Sequence, residues 1–362
     1  MRYLLISNDP AMLYRYRAEV IMELLKKNSV YVCAPKGDVD DLISIGCEMV
    51  YADVDRRGMD PRADLALYKA YKRIISEVKP DIVLTYSIKP NIYGGYAAKK
   101  LGVPYFAHVQ GLGSAFQKKI LKAIVSLMYR SALKDAKGVF FENTGNRDLF
   151  VNGKIICKDQ AITVKGGAGV PLESFPFCEL LQNDTVNFLF VGRIMKEKGV
   201  DELFDAAKRM KAELGSKVSF TIAGNFVDEY EKTVKELSDS GIIEYVGFVK
   251  DVASLYRKCH AVVLPSYHEG LANVLIEGAA TGRALIATNI HGCKETIVDN
   301  ESGYLVPVRD TESLYTAMMR FYDLSFEKKQ KMGISGRNFV EKCFNRKDVV
   351  EFTVASLEEG LK

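Results

Sequence analysis

A basic loop in the second half of the sequence carries the side chains best suited to holding a diphosphate. Arg193 and Lys198 lie in this basic loop, residues 192–199, which follows an apolar strand and precedes a helix that begins near Val200. A guanidinium can fork onto two phosphate oxygens and an ammonium adds a point charge, so together they can hold a diphosphate without a metal ion. Taken alone, such a loop is more often a solvated basic turn, but its place between strand and helix favours an anion site.

A second loop, the glutamate loop at residues 265–270, can bind an anion through its backbone. The strand before it is short, apolar and rich in β-branched residues, as buried parallel strands are. Gly270 allows the backbone to come close to a ligand. The helix that follows is expected to present free N–H groups at the positive end of its dipole, those of Leu271, Ala272 and Asn273. The sequence therefore predicts a phosphate site here.

Two glutamates accompany this loop. Glu269 lies at its mouth, and Glu277 follows about two helical turns later on an apolar stretch. A carboxylate on such a stretch is costly to bury unless it accepts hydrogen bonds, and sugar or ribose hydroxyls would donate them. The alternative is that both glutamates only complement the helix start and form a salt bridge with a neighbouring lysine.

The elements that must position these loops alternate between strand and helix signals along nearly the whole chain. Short buried strands are predicted at residues 3–7, 29–34, 47–51, 82–86, 105–108 and 138–141, and again at 186–191, 218–223, 243–245, 261–264, 284–287 and 303–306. We therefore predict an α/β protein with two doubly wound Rossmann-like domains that face each other across a cleft, with ligands at the carboxyl ends of the strands. The first domain covers residues 1–168, with a helix at 347–362 able to pack back on it, and the second covers residues 169–346.

Composition excludes several broad classes. The 362 residues are 48% hydrophobic and 27% charged, which is ordinary for a globular protein. No apolar run approaches the roughly 18 residues of a membrane-spanning helix, and the first residues indicate a strand rather than a secretory signal. The seven cysteines are scattered with no close pair, which argues against disulfides and zinc and fits a reducing cytoplasm. The formal net charge of +4 is small for this length, and no nucleic-acid partner is expected.

Three elements, in this order, resemble a family-four retaining glycosyltransferase of the GT-B fold. They are the basic loop, the pair Glu269 and Glu277, and a later segment, residues 292–306, that begins Gly-Cys-Lys-Glu. The resemblance implies that Arg193 and Lys198 bind the diphosphate of a UDP-sugar. It also implies a set of further donor contacts. Glu277 would bind the ribose, Val249 would meet the uracil through its backbone, and the donor sugar and phosphates would meet Glu269, Gly270, Leu271, Ala272 and Asn273.

The first half resembles members that extend undecaprenyl-diphosphate-linked saccharides, such as bacterial N-acetylgalactosaminyltransferases. The likeness lies in the run Phe-Ala-His-Val-Gln-Gly-Leu-Gly-Ser at residues 106–114 and in the basic and aromatic residues at 14–17, although the paired glycines common after the first strand are missing. It implies that Arg17 faces the acceptor diphosphate, the alternative being a surface helix charge. His108 would touch the donor sugar, with Gln110 as the fallback contact on the acceptor side. The alternative for His108 is a hydrogen-bonded core residue.

The pattern of apolar and basic residues at 115–134 predicts a basic amphipathic helix, with Lys118, Lys119 and Lys122 clustered at one end. Such a face can lie on anionic lipid, and the alternative is an ordinary domain helix with a solvated lysine edge. Because the expected acceptor is lipid-linked, the resemblance implies a peripheral enzyme at the cytoplasmic face of the inner membrane.

No metal and no other cofactor is expected, because the UDP-sugar is the donor substrate. Two Asp-Val-Asp runs, at residues 38–40 and 53–55, match a short acidic motif that holds manganese in another glycosyltransferase fold. Both lie away from the basic loop and are interpreted as loop charges.

The expected reaction is metal-independent, retaining transfer of a HexNAc or a hexose from a UDP-sugar to a lipid-diphosphate-linked saccharide, in surface polysaccharide or glycoprotein glycan assembly. Electrostatic stabilisation of the departing diphosphate would drive it. Two alternatives are a nucleotide-sugar epimerase of the same fold and a non-catalytic nucleotide-sugar-binding protein.

Overall fold

The computed structural model describes residues 1–53, 60–112, 116 and 119–361. The chain divides into two compact units, one formed by Met1–Ala168 with Lys347–Lys362 and the other by Gly169–Arg346. Each unit is built around one sheet of parallel strands with helices between them. The prediction of an α/β protein with two doubly wound parallel sheets is confirmed.

The described residues of the first unit form seven strands: β1 (Arg2–Ile6), β2 (Ser29–Ala34), β3 (Glu48–Tyr51), β4 (Ile82–Tyr86), β5 (Tyr105–Val109), β6 (Gly138–Phe141) and β7 (Ala161–Thr163). They line up in the order β3-β2-β1-β4-β5-β6-β7. β4, β5 and β6 are buried along their whole length, as central parallel strands covered on both faces should be. β7 has no counterpart among the predicted strands, because three half-buried residues give no apolar run.

The helices of the first unit are α1 (Pro10–Leu25), α2 (Asp40–Ser44), α3 (Pro61–Val78), α4 (Gly95–Leu101), α5 (Lys119–Leu133) and α6 (Thr144–Asn152). α1 begins at a defined cap, since the side chain of Asp9 accepts from the backbone N of Met12 at 3.0 Å and Pro10 occupies the first helical position. This cap carries the chain directly from the carboxyl end of β1 into the helix that holds Arg17.

The second unit contains six strands: β8 (Val186–Val191), β9 (Val218–Ala223), β10 (Glu244–Gly247), β11 (Ala261–Leu264), β12 (Ala284–Thr288) and β13 (Gly303–Val306). Its helices are α7 (Val200–Leu214), α8 (Glu231–Asp239), α9 (Ala253–Lys258), α10 (Asn273–Ala280), α11 (Thr311–Tyr322) and α12 (Phe326–Cys343). A last helix, α13 (Arg346–Glu359), returns the chain to the first unit, where Val349, Val350 and Leu357 join the core.

The second sheet runs in the order β10-β9-β8-β11-β12-β13, and all its strands are parallel. The chain adds strands outward on one side of β8 and then returns to add β11 on the other side, and we call this point between β8 and β11 the chain reversal. Ligands of open α/β sheets bind outside the carboxyl ends of the strands at such a reversal. The basic loop follows β8 and the glutamate loop follows β11. Gly278 lets α10 pack close to the sheet, because a Cβ there would lie 2.6 Å from the side chain of Val262.

Candidate functional site

The basic loop and the glutamate loop are joined through their backbones. The N–H of Tyr267 donates to the carbonyl of Glu197 at 2.8 Å. Gly199 has a φ of +69°, and a Cβ at this position would overlap the carbonyl oxygen of Pro265. The left-handed conformation and the close approach therefore both require glycine. The structure brings together the two loops that the sequence predicts as one anion site.

A partly buried ion pair links the same two loops. Nζ of Lys198 lies 2.5 Å from Oε1 of Glu269, and the two side chains are only 17% and 12% exposed. Their attraction is stronger here than between fully solvated groups, because the surroundings are less polarisable than water. The alternative for Glu269, a salt bridge with a lysine, is therefore observed. The lysine in that bridge is one of the two cations predicted to bind the diphosphate.

Arg193 lies at the same sheet edge and its side chain is exposed. Its position is fixed by its neighbours, since Gly192 N donates to Ala223 O at 2.9 Å and Ile194 N donates to Asn225 O at 2.8 Å. Within the described residues the guanidinium forms no hydrogen bond or ion pair. A cation placed in this way is available to an anionic ligand.

The free amides at the start of α10 are not the ones that the sequence predicts. Ala272 N donates to Gly292 O at 2.8 Å and Asn273 N donates to Leu271 O at 3.0 Å, so two of the three predicted donors already have partners. Among the described residues, the amides of Leu271 and Val274 donate to no acceptor. The expectation of three free amides from Leu271 to Asn273 is therefore wrong. The donors that α10 offers to an anion are those of Leu271 and Val274.

The loop after β12 packs against the glutamate loop. Gly292 has a φ of +92°, and a Cβ there would lie 2.7 Å from the carbonyl oxygen of Gly270. Its N–H donates to Oε2 of Glu295 at 2.6 Å. Cys293 is fully buried, and burial together with the nearby Glu269 carboxylate raises the pKa of its thiol well above the ordinary value. This segment, which contributes to the family resemblance, thus supports the position of Glu269.

Glu277 is buried on α10 and has a hydrogen-bond donor inside its own unit. The hydroxyl of Tyr256, on α9, donates to Oε2 of Glu277 at 2.9 Å, and the two residues are 0% and 5% exposed. The expected need for a donor to this carboxylate is therefore met in part by a tyrosine that the sequence did not single out. The sequence showed that Glu277 lies on an apolar helix and so needs a donor. It could not identify Tyr256 as that donor, because the two residues are 21 positions apart in the chain.

The carboxyl ends of β9 and β10 adjoin the basic loop. Gly224 N donates to Gly247 O at 2.8 Å, and the hydroxyl of Tyr245 donates to Gly224 O at 2.9 Å. Val249 follows β10 closely and is half-buried against the core of the second unit. This places Val249 at the predicted edge, and its contact with a uracil base stays a prediction.

His108 is a core residue at the end of the fifth strand, β5. Its ring stacks between those of Tyr86 and Phe140, with centroid distances of 4.9 and 4.5 Å. Burial, reinforced by the positive charge of Arg17, lowers the pKa of His108 well below its ordinary value, so the imidazole is neutral. Its buried Nδ1 has no hydrogen-bond partner within the described residues, unlike that of a satisfied core histidine.

Arg17 is buried rather than exposed, so the alternative of a surface helix charge is wrong. Its Nη2 donates to Oε1 of Glu142 at 2.6 Å, and the two side chains are 2% and 7% exposed. Burial raises the pKa of Glu142, while the charge of Arg17 opposes that shift. Contact of Arg17 with an acceptor diphosphate stays a prediction. Gln110 follows β5 directly and is half-buried.

Parts of three sequence predictions lie outside the described residues. They are Gly113 and Ser114 in the glycine-containing run, Ala115, Gln117 and Lys118 in the basic helix, and Val54 and Asp55 in one acidic run. Within the described ranges, no cluster of three His, Cys, Asp or Glu side chains could hold a metal ion. No helix in the part of the chain that the structure covers is long and apolar enough to cross a membrane.

Two doubly wound units, with cations and helix-start amides at the chain reversal of one of them, are the architecture of the GT-B fold. The chain belongs to glycosyltransferase family four. Residues 174–339 match the family described as Glycosyl transferases group 1, and residues 5–143 match the one described as Glycosyl transferase 4-like. Together the two matches span most of both units.

Two similar proteins are named as transferases that act on sugars linked to undecaprenol through a diphosphate. The chain is 26% identical over 334 residues to the N,N'-diacetylbacillosaminyl-diphospho-undecaprenol alpha-1,3-N-acetylgalactosaminyltransferase of Campylobacter jejuni, covering 87% of each chain. It is 23% identical to the UDP-Gal:alpha-D-GlcNAc-diphosphoundecaprenol alpha-1,3-galactosyltransferase of Escherichia coli, covering 88% of this chain and 85% of the relative. The structure of Anabaena Alr3699/HepE in complex with UDP and glucose superposes with a TM-score of 0.81 at 14% identity, covering 99% of this chain and 100% of that one. That last likeness concerns the fold.

Proposed function

We propose that this glycosyltransferase moves a HexNAc or a hexose from a UDP-sugar to a saccharide linked to a lipid diphosphate, with retention of configuration. The observation that carries the donor half is the Lys198–Glu269 pair beside the start of α10, at the chain reversal of the second sheet. An ammonium, an exposed guanidinium and helix-start amides at one sheet edge suit a diphosphate. The activities for which the two relatives are named support the acceptor half.

In the proposed reaction the bond between the anomeric carbon and the β-phosphate oxygen breaks while an acceptor oxygen bonds to the same carbon. Negative charge grows on the departing UDP. Arg193 and Lys198 would neutralise that charge, and the amides of Leu271 and Val274 would donate to it. The acceptor proton passes to the leaving phosphate. Attack on the face from which UDP departs retains the configuration, and this route requires no protein nucleophile and no metal ion.

Binding of the donor would change the partner of Lys198. The ammonium lies against Glu269 in the structure, and a phosphate oxygen would compete with that carboxylate for it. Glu269 would then be available to accept a hydrogen bond from a hydroxyl of the donor sugar. The carboxylate therefore has two roles in this scheme: it holds the lysine in place, and it contacts the sugar after the lysine moves to the diphosphate.

The residues of the first unit would serve the acceptor and the donor sugar. His108 is neutral and buried, so it can hydrogen-bond a sugar hydroxyl without bringing an extra charge to the site. Arg17 has a buried Nε without a partner in the described residues, and this N–H is the group it could offer to the acceptor diphosphate. Gln110 is the second proposed acceptor contact.

One face of α5 supports a place at the membrane surface. Ile120, Ile124 and Leu127 recur at helical spacing and are 79%, 51% and 63% exposed. The sequence of α5 contains no acidic residue. The exposed Arg130 lies at the edge of this face, and its Nε donates to the backbone carbonyl of Lys154, another exposed residue, at 2.7 Å. An apolar stripe flanked by cations suits anionic lipid, so we infer a peripheral protein at the cytoplasmic face of the inner membrane.

The experiment that tests this function combines the protein with a panel of UDP-sugars and undecaprenyl-diphosphate-linked saccharides, with and without EDTA. Transfer that keeps the anomeric configuration of the donor, read by NMR of the product, and that persists in EDTA is expected. An inverted product would refute retention, and activity that EDTA abolishes and a divalent cation restores would refute metal independence. A new UDP-sugar epimer without acceptor would indicate an epimerase. UDP-sugar binding with neither transfer nor hydrolysis would indicate a non-catalytic protein.

A further inference from the structure

The contact between Tyr256 and Glu277 lies in the interior of the second unit and involves two adjacent helices. The phenol donates to Oε2 at 2.9 Å, and both residues are buried. The ring of Tyr256 also packs edge-on against Phe175, with centroids 6.0 Å apart and ring planes at 63°. The aromatic ring is therefore held in one orientation by packing, and its hydroxyl points at the carboxylate from a fixed position.

A glutamate side chain has three rotatable bonds, so a carboxylate on a helix can adopt several orientations unless a contact selects one. A hydrogen bond from an immobile donor to an ionised acceptor is among the stronger neutral-to-charged contacts in proteins. Tyr256 supplies such a contact to Glu277. It therefore selects one direction for the carboxylate, and the energetic cost of that ordering is met during folding and not during ligand binding.

Given the proposed UDP-sugar site, we propose that Tyr256 is a positioning residue for the nucleotide ribose. Its phenol fixes the carboxylate of Glu277 in the orientation in which it accepts a hydrogen bond from the ribose 2′-hydroxyl. Tyr256 itself does not touch the nucleotide. The preference of the site for a ribonucleotide over a 2′-deoxyribonucleotide thus depends on a residue one helix away from the ligand.

The test measures the affinities of UDP and 2′-deoxy-UDP by isothermal titration calorimetry for the wild type, Tyr256→Phe, Glu277→Gln and the double variant. A hydrogen bond to a charged group is worth enough to make the wild type prefer UDP by roughly tenfold or more. Tyr256→Phe keeps the ring and its packing, and it is expected to weaken UDP binding by about fivefold while changing 2′-deoxy-UDP binding by less than about twofold. The double variant should bind UDP as Glu277→Gln does, because Tyr256 acts through Glu277.

Tyr105→Phe is the matched control. Tyr105 is 1% exposed, lies in the first unit, and loses one hydrogen bond, to the carbonyl of Ala132 at 2.5 Å, by the same chemical change. It should leave both affinities unchanged. An unchanged UDP preference in Tyr256→Phe, equal weakening of both nucleotides, or independent effects in the double variant would overturn the positioning role and leave the proposed transfer standing. Failure of the wild type to bind UDP at all would overturn both.

Discussion

The ammonium of Lys198 and the carboxylate of Glu269 meet at 2.5 Å although 71 residues separate them in the chain. The meeting is possible because their loops leave β8 and β11, which are neighbours in the sheet. Gly199 and the bond from Tyr267 to Glu197 hold the two loops at this distance. The pair therefore marks the point where a strongly anionic ligand can replace an internal carboxylate as the partner of a lysine.

The first prediction concerns this replacement. Glu269→Gln removes the internal competitor for Lys198, so the affinity for UDP should rise by about threefold to tenfold. Transfer from the UDP-sugar should fall at the same time, because the carboxylate that meets the donor sugar is gone. Calorimetry with UDP and a transfer assay measure the two effects. Glu312→Gln is the control, since Glu312 pairs with Arg209 at 2.6 Å on the exposed surface of the same unit. Weaker UDP binding in Glu269→Gln would contradict the competition.

The second prediction separates the close approach at Gly199 from its backbone conformation. Gly199→Ala adds a methyl group that overlaps the carbonyl of Pro265, whereas Gly102→Ala adds one with nothing within 4 Å. Both glycines have left-handed backbones, with φ and ψ of 69° and 30° at Gly199 and of 69° and 20° at Gly102, so conformational strain alone should cost about 1–2 kcal/mol at either position. Gly199→Ala should therefore lower the melting temperature more than Gly102→Ala does, and it alone should weaken UDP binding. Equal effects of the two variants on both measurements would show that the loop contact is unimportant.

The third prediction concerns the buried pair of Arg17 and Glu142. Removing one partner from a buried ion pair typically costs about 3–5 kcal/mol, because the other charge is left uncompensated. Glu142→Gln leaves a guanidinium that cannot lose its proton, whereas Arg17→Met leaves a carboxylate that can gain one. Glu142→Gln should therefore unfold at the lower denaturant concentration of the two at neutral pH. If Arg17→Met unfolded at a lower urea concentration than Glu142→Gln, the result would contradict the burial of this ion pair.

The pH dependence of Arg17→Met follows from the same contact. Burial raises the pKa of Glu142 in the folded protein, and removal of Arg17 takes away the charge that opposes this shift. A carboxyl whose pKa is raised on folding binds its proton more tightly in the native state, so its cost to stability grows as pH rises and disappears as pH falls below the unfolded pKa. The deficit of Arg17→Met relative to wild type should shrink between pH 7 and about pH 5. A deficit that stays constant or grows over that range would show that Glu142 is not the group left unpaired.

The fourth prediction concerns the exposed face of α5. Ile124→Glu combined with Leu127→Glu places two negative charges on the proposed lipid-facing stripe, so co-sedimentation with vesicles containing phosphatidylglycerol should be lost. Leu65→Glu is the control, because Leu65 is 53% exposed on α3 of the same unit. Transfer to a short-chain, water-soluble acceptor should be kept in the double variant. Vesicle binding by the double variant equal to that of the wild type would refute the lipid-binding role of this face. If the wild type were a dimer that the substitutions convert to a monomer, the face would instead bind a second copy of the chain.

The alternating pattern and the strand positions were predictable, because buried parallel strands are short continuous apolar runs that need no knowledge of their neighbours. β11 and the loops that flank the chain reversal followed from this. The proximity of Lys198 to Glu269 could be predicted as well, since the doubly wound order puts the carboxyl ends of β8 and β11 side by side.

Pairings between distant side chains could not be predicted in the same way. The partner of Arg17 lies 125 residues away, and a buried arginine on α1 has the same local sequence signal as an exposed one. The carbonyl of Gly292 that occupies the Ala272 amide comes from a loop after another strand. Such contacts depend on how loops pack at the sheet edge, and neither periodicity nor spacing reports that.

The measurement that tests the diphosphate site most directly is calorimetric titration of UDP and of uridine into the wild type, Arg193→Ala and Lys198→Ala. Arg209→Ala serves as a control, since Arg209 is another exposed arginine of the same unit. Loss of one charge-assisted contact should weaken UDP binding by about tenfold or more in both site variants, with uridine binding nearly unchanged because the diphosphate alone loses its partner. The melting temperature should be nearly unchanged in Arg193→Ala, whose side chain is exposed, and should fall in Lys198→Ala, which leaves the partly buried carboxylate of Glu269 without its partner. If Arg193→Ala and Lys198→Ala bound UDP as tightly as the wild type does, the proposed diphosphate site would be contradicted.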